Sequence, residues 1–370
     1  MAIAAHHESF SKQGQNQDVR GKTRQALVGK SIGKYDLISV PMPDIEPDMV
    51  LVRTSAVALN PADAKTIDYS VTVGAIGGND FAGTVVEVGA DVKRLNIGDR
   101  VCGMMFGLNP SDHGTGAFSN FIGATEDLTC KIPFSMSFEE GSSLGLAIGT
   151  AGSALYQFLG LPMPDRPAEV QTYVLIYGGG SATGTMAIQL SKASGLTPIA
   201  VCSPHHFDLV KALGAEEAFD YHSATCGSDI RSYTKNTLAH ALDCITESNT
   251  TKICYEAIGT AGGKYVALDP YSSVIKYTRR NVKAEWLMAF SLFGKPVRLA
   301  GVYGRAARPK DREFCKMWFP MAEKMLAEGR LKPHRIEVKK GGLFGVLAGI
   351  DELRTGSVRG RKLVYPISDL

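Results

Sequence analysis

Residues 173–190 read YVLIYGGGSATGTMAIQL, and the fold follows from how this stretch is parsed. Tyr173 to Tyr177 is a short apolar run rich in aromatic and branched side chains, the composition of a buried strand. Gly178, Gly179 and Gly180 interrupt it, and Ser181, Ala182, Thr183 and Gly184 open a segment with helical periodicity. A strand that passes through glycines into a helix leaves unpaired N–H groups at the helix start, a cradle for a pyrophosphate. The loop is not a clean G-x-G-x-x-G: with Gly178 and Gly180 as the first two glycines, Thr183 takes the third place. Alone, such a loop is often only a tight turn, so the flanking sequence carries the decision.

Downstream, TPIAVCS (197–203), EEAFDY (216–221), HALDCIT (240–246), GKYVALD (263–269) and RLAGVYG (298–304) read as further strands. Amphipathic stretches at 183–194, 206–213 and 230–236 separate the first four. Six strands in βαβ order predict a doubly wound parallel sheet, a Rossmann domain over 164–304. Upstream, LVRTSAVALN (51–60), DFAGTVVEVG (80–89) and LNIGDRVCGM (95–104) are Gly-punctuated strands of a β-rich, barrel-like unit. A helical stretch, FEEGSSLGLAIGTAGSALYQFLG (138–160), and a Pro-rich link, LPMPDRPAEV (161–170), lead into the Rossmann part. After Gly304 a helix (DREFCKMWFPMAEKMLAEG, 311–329) and short elements are too few for a third domain and return to complete the first. The expected class is α/β, with the β-rich domain discontinuous over 23–163 and 305–370 and residues 1–22 a loose polar tail.

Composition narrows the function. No run of about 18 apolar residues suggests a membrane span, and the net charge of +3 is too small to imply nucleic-acid binding. Seven scattered cysteines fit reduced thiols in a cytoplasmic protein better than a disulfide framework. The second strand ends in Ser203, Pro204, His205 and His206, where NAD-preferring folds carry an acidic residue for the ribose 2′-hydroxyl. A carboxylate ~4 Å from a 2′-phosphate costs up to ~4 kcal/mol at an effective dielectric of 20. With Ser203 and the histidines as hydrogen-bond donors, NADPH is favoured over NADH.

Zinc alcohol dehydrogenases are similar in this two-domain layout and need Cys, His or carboxylate ligands. Where that branch places a ligating Cys, this chain has Asn60-Pro61-Ala62-Asp63. Where it places Gly-His-Glu, here stands Gly78-Asn79-Asp80. No metal site is expected, and the favoured substrate is one whose conjugation makes hydride addition easy.

NPADAK (60–65), GNDFAGTVVEVG (78–89), LGLAIGTAGSAL (144–155), YGGGSATGT (177–185), CSPHHFDLVKALGAEEAFDY (202–221), YTKNTL (233–238), ALDCIT (241–246) and AIGTAGGKYVALDP (257–270) together resemble the trans-acting enoyl reductases of fungal highly reducing polyketide synthases, as in lovastatin biosynthesis. The resemblance runs from about Thr23 to Ile367 and makes the β-rich domain GroES-like. It implies a zinc-independent monomer that uses NADPH to reduce an α,β-unsaturated chain. That chain would be carried on the acyl carrier domain of a polyketide synthase or synthase–peptide synthetase hybrid. The likeness gives Ser181, Ala182, Thr183 and Gly184 to the pyrophosphate, Ser203, Pro204, His205 and His206 to the 2′-phosphate, and Tyr221 to the adenosine end. Leu268 and Asp269 fall near the nicotinamide. Ala62, Asp63, Ala64 and Lys65, with Val358 and Arg359, close over the cofactor. Thr150, Ala151, Gly152, Ser153, Ala154, Leu155, Tyr156 and Gln157 line the acyl pocket opposite Ala289, Phe290, Ser291, Leu292 and Phe293. The phosphate loop is richer in glycine than the Ser/Thr-rich loops of the family.

Enoyl reduction needs a hydride at Cβ, stabilisation of the enolate oxygen and a proton at Cα. Lys65 and Thr150 are the candidate catalytic residues. The alternatives are a surface lysine and a helix-packing threonine. Tyr69 is a weaker candidate acid, because its spacing from Asn60-Pro61 fits poorly. Arg308, Lys310 and Arg312 offer charge for an acidic carrier domain. Two rival functions share the pattern: a quinone or enone oxidoreductase acting on free molecules, and a non-catalytic NADPH-binding scaffold.

Overall fold

The computed structural model describes residues 23–367. The tail expected over residues 1–22 lies outside the described residues. The chain begins with the hairpin β1 (Thr23–Ser31) and β2 (Lys34–Pro41), followed by β3 (Met49–Ala58), helix α1 (Pro61–Tyr69) and β4 (Asp80–Val88). Strands β5 (Arg100–Met104), β6 (Phe121–Thr125) and β7 (Thr129–Lys131) lead to α2 (Phe138–Ser142) and α3 (Gly145–Gly152). The second half alternates: β8 (Tyr173–Tyr177), α4 (Ala182–Ala193), β9 (Thr197–Cys202), α5 (Phe207–Ala212), β10 (Glu217–Asp220), α6 (Cys226–Tyr233), β11 (His240–Asp243), α7 (Ser248–Ala257), β12 (Gly263–Ala267), α8 (Ser273–Lys276) and β13 (Val282–Trp286). Helix α9 (Pro309–Ala327), β14 (Ile336–Val338), α10 (Gly342–Arg354) and β15 (Lys362–Pro366) complete it.

The alternating half forms one six-stranded parallel sheet in the order β10-β9-β8-β11-β12-β13. The chain reverses direction between β8 and β11, and ligands of such sheets bind at the carboxyl ends beside that switch point. The middle residues of β8, β9 and β11 are apolar and buried because helices cover both faces, and polar residues (Thr197, His240, Asp243) fall only at strand ends. The other half is a seven-stranded sheet, β14-β15-β3-β4-β5-β7, with β6 on β3. β15, from the far end of the chain, pairs antiparallel with β3 through Val364–Ala58, so the C-terminal segment closes the sheet begun by the N-terminal one.

Two expectations needed correction. The sixth strand is Val282–Trp286, parallel to β12, and not RLAGVYG (298–304). That stretch contains Gly301 at φ +58° and folds as a single 3-10 turn, Gly301–Tyr303, because the left-handed residue breaks an extended run. The helix expected over 138–160 is three pieces: α2, α3 and a π-helical turn, Ser153–Phe158, continuous with α3. In that turn Leu159 N donates five residues back to the Ala154 carbonyl at 2.9 Å, and just before it the indole N–H of Trp318 on α9 donates to the Ile148 carbonyl at 2.9 Å. Gly152 admits the indole, since a Cβ there would stand 2.2 Å from Trp318 Nε1.

Candidate active site

At the β8–α4 junction Gly178 has φ +77°, which only glycine adopts cheaply. A Cβ at Gly184 would lie 2.2 Å from the Gly178 carbonyl oxygen. The close helix–strand packing expected at the third fingerprint position therefore falls on Gly184, one residue beyond Thr183. The Ser181 hydroxyl caps α4 by accepting from Gly184 N at 3.1 Å. That leaves the half-buried Ala182 and Thr183 to present the helix start.

The other predicted cofactor residues gather around this loop. Ser203 Oγ and Tyr221 Oη share a hydrogen bond of 3.1 Å, and the His205 and His206 rings lie 4.0 Å apart. Pro204 opens the 3-10 turn that carries both histidines. The His206 ring is wedged between two glycines: a Cβ on Gly180 would sit 2.6 Å from it, and one on Gly360 2.3 Å. It thus joins the phosphate loop to the C-terminal loop that bears Val358 and Arg359. Burial, His205 and Arg335 all lower the His206 pKa, so the neighbours that perturb it are basic. Arg335 was missed by the sequence reading; its only signal was the basic run 330–340. Neither Arg335 nor Arg359 forms an ion pair among the described residues, so cationic charge faces the loop unmatched.

At the other end, the two halves touch. Lys65 Nζ lies 2.6 Å from Asp269 Oδ2, and Tyr303 Oη donates to Asp269 Oδ1 at 2.8 Å. Tyr69, one turn beyond Lys65 on α1, meets the Tyr303 ring edge-on at 5.3 Å, and Ser70 Oγ accepts from Ala300 N. Burial and the bond to Asp269 push the Tyr303 phenol up to about 12. Tyr303, too, was missed, because it sits in the segment mistaken for a strand. Within Ala62–Lys65 only Lys65 reaches across. Ala62 is half-buried, Ala64 packs in the core, and the Asp63 carboxylate turns inward to accept from Asn60 N and Asn79 Nδ2, both at 2.7 Å. Burial raises that carboxyl to about 7. Leu268 N donates to Thr246 Oγ1 at 3.2 Å. Thr246 holds φ +63°, unusual for a β-branched residue and a sign of stored strain at a site.

The expected acyl-pocket residues divide. Thr150 is 7% exposed, and its hydroxyl has no partner among the described residues. Ala151, Gly152, Ser153, Ala154 and Leu155 are buried, and the Tyr156 hydroxyl bonds Ser194 at 3.0 Å. These six residues pack inward rather than lining an open slot, while Gln157 is half-buried and bonded to Ser153. Ala289 to Phe293 form a 3-10 turn facing α3 and α9. Phe290 stacks on Phe106 at 4.2 Å, Ser291 Oγ donates to Asp311, and a Cβ on Gly149 would touch Leu292. Ala289 and Phe293 are only partly buried. Of the basic trio, Arg312 is already engaged by Asp127 and Asp48, and Arg308 by Asp311, which leaves Lys310. A cavity of about 520 Å³ lined by Arg24, Pro41, Glu46 and Asp112 lies apart from all of these residues.

Among the described residues no three His, Cys, Asp or Glu side chains group closely enough for a metal ion. The Asp80 carboxylate is paired with the Lys362 ammonium, and Asn60 is a weak donor, so this set does not fit a zinc ion.

Residues 46–134 match the family described as alcohol dehydrogenase GroES-like domain, and residues 182–269 match zinc-binding dehydrogenase. A trans-enoyl reductase of Gibberella fujikuroi is 51% identical over 93% of this chain and 99% of its own. The trans-enoyl reductase caaB of Aspergillus niger is 47% identical over 92% and 96%. A solved structure of a putative zinc-dependent alcohol dehydrogenase from Rhizobium etli shares the fold, with a TM-score of 0.75 over 94% of this chain and 99% of that one at 22% identity. With half its residues shared over nearly the whole length of such relatives, this chain belongs to the trans-enoyl reductase family of the medium-chain dehydrogenase/reductase superfamily.

Proposed function

We propose that this protein is a zinc-independent, NADPH-dependent enoyl reductase acting in trans on an α,β-unsaturated thioester carried by the acyl carrier domain of a polyketide synthase. In this reading it works as a cytoplasmic monomer, with 23–163 and 305–370 as the catalytic domain and 164–304 as the cofactor domain. The observation that carries the proposal is the contact between the halves, where Lys65 from one meets Asp269 from the other.

The residues present fit a dinucleotide. Gly178 and Gly184 allow the tight strand-to-helix turn that brings the α4 N-terminus to the phosphates, and the guanidinium groups of Arg335 and Arg359, with the His205 and His206 rings as hydrogen-bonding groups, suit a phosphate-rich ligand. NADPH supplies the hydride when bound. Lys65, 62% exposed in its side chain, has reach to hold a ribose hydroxyl or to face the charge that develops on the thioester oxygen. Thr150 can donate to that oxygen or to a carboxamide. Asp269, held by Tyr303, fixes the Lys65 ammonium. No residue here is assigned the Cα proton, which water can supply.

The test is NADPH oxidation with enoyl pantetheine thioesters of increasing length, set against free quinones. The proposal predicts turnover of the thioesters in excess of any quinone. Faster reduction of quinones would contradict it, and tight NADPH binding without turnover of either would point to a scaffold.

A further inference from the structure

Asp80 opens β4 and is completely buried, with no water to solvate its charge. Ion pairs in such positions are often replaceable by apolar residues without loss of stability, so their stabilising value alone explains little. What Asp80 touches is more telling. Oδ1 accepts from Leu146 N at 2.6 Å, in the first turn of α3 and one turn before Thr150. Oδ2 accepts from Asn60 Nδ2 at 2.9 Å, the residue that precedes α1 and hence Lys65. Oδ2 also receives the Lys362 ammonium, which opens β15 three residues beyond Arg359 and donates as well to the Ser143 carbonyl at 3.1 Å. The preceding residue adds a second arm: Asn79 Nδ2 donates to Asp63 in α1, and Asn79 Oδ1 accepts from Gly107 N.

We propose that Asp80 is the positioning residue of the active site, the carboxylate that holds in register α1, α3 and β15, the segments that carry or adjoin Lys65, Thr150 and the Arg359 loop. This rests on the enoyl-reductase reading for what the cleft does, but not for the coupling itself. Hydrogen bonds from three separate segments, one from a backbone N–H and two from side chains, converge on two oxygen atoms, so a shift in one segment is transmitted to the others. Polar networks of this kind, when fully satisfied, specify a single arrangement of the elements they join.

The experiment uses the full chain with Asp80→Asn combined with Lys362→Met, which removes the charge and its partner together and leaves no buried ion unpaired. Asn60→Ala, which cuts only the α1 arm, is the second variant. Hydrogen exchange should rise in the double variant over 61–69, 145–152 and 355–361 together, with 182–193 unchanged, and in Asn60→Ala over 61–69 first. Turnover of an enoyl pantetheine thioester should fall at least tenfold, with a larger isotope effect from 4-deuterated NADPH, because the hydride step becomes limiting when donor and acceptor are misplaced. Affinity for 2′,5′-ADP, which meets only the phosphate end, should stay within twofold. An isotope effect that stays at the wild-type value while turnover falls with the folded fraction would reduce Asp80 to a structural role and overturn the proposal. So would folded double variant with wild-type exchange in all three segments. If the wild type reduces no enoyl thioester, the functional reading falls, and the hydrogen exchange still decides the coupling.

Discussion

Single residues carry the cofactor argument. The Ser203 hydroxyl is bonded to Tyr221, and on the proposed NADPH reading it stands where a carboxylate would repel a 2′-phosphate. Ser203→Asp should weaken 2′,5′-ADP binding at least tenfold and leave 5′-ADP within about threefold, as calorimetry would measure; equal losses for both would place Ser203 away from the 2′ end. His334 supplies a pH test. It is 7% exposed, Nδ1 lies 3.2 Å from Thr185 Oγ1, and burial, then Lys362 and His206, push its pKa down to about 4. A histidine held neutral in the fold binds fewer protons there than in the unfolded chain. Its contribution is complete above pH 6.5 and is lost as pH falls from 6.5 towards 4, at most about 3 kcal/mol. His334→Asn should flatten that part of the stability–pH curve relative to wild type, read by denaturant unfolding at several pH values. Ser203 and the missing acid were legible because they sit at a fixed place after a strand. His334 was not, because its significance depends on Thr185 and Lys362, distant in sequence.

At the scale of elements, the parallel sheet was legible from alternation, since strands covered on both faces must be apolar through their length. The error over 298–304 came from texture without conformation: Leu299, Ala300 and Val302 look strand-like, but Gly301 turns the chain and Gly304 follows. The π-turn at Ser153–Phe158 was invisible because nothing in the composition of SALYQF separates a bond to the fifth residue back from one to the fourth. The small residues read as an acyl slot serve, at Gly152, to seat Trp318. Gly152→Ala should therefore destabilise the fold by about 1–3 kcal/mol through overpacking, measured as a lowered urea midpoint. An unchanged midpoint would mean the indole is free to move.

Across the whole molecule, the proposed reading places function between the halves of a discontinuous chain. The Lys65–Asp269 pair crosses from α1 to the end of β12, residues 204 apart in sequence. Each partner was legible only through family likeness, and their meeting was legible from neither. Exposed ion pairs contribute about 0–1 kcal/mol, so this one matters for geometry more than for stability. Lys65→Met should leave the unfolding transition within about 1 kcal/mol of wild type and lower kcat at least tenfold; a variant with full kcat would show Lys65 to be a surface lysine.

The central claim is hydride delivery to the β-carbon of an enoyl thioester, and isotope tracing tests it most directly. The protein is incubated with 4-deuterated NADPH and an enoyl pantetheine thioester, and the saturated product is read by mass spectrometry and deuterium NMR. The account predicts one deuterium at Cβ from the cofactor and, when the reaction is run in labelled water, one solvent-derived hydrogen at Cα. Saturated product without cofactor deuterium at Cβ, or no saturated product while a quinone is reduced, would contradict it.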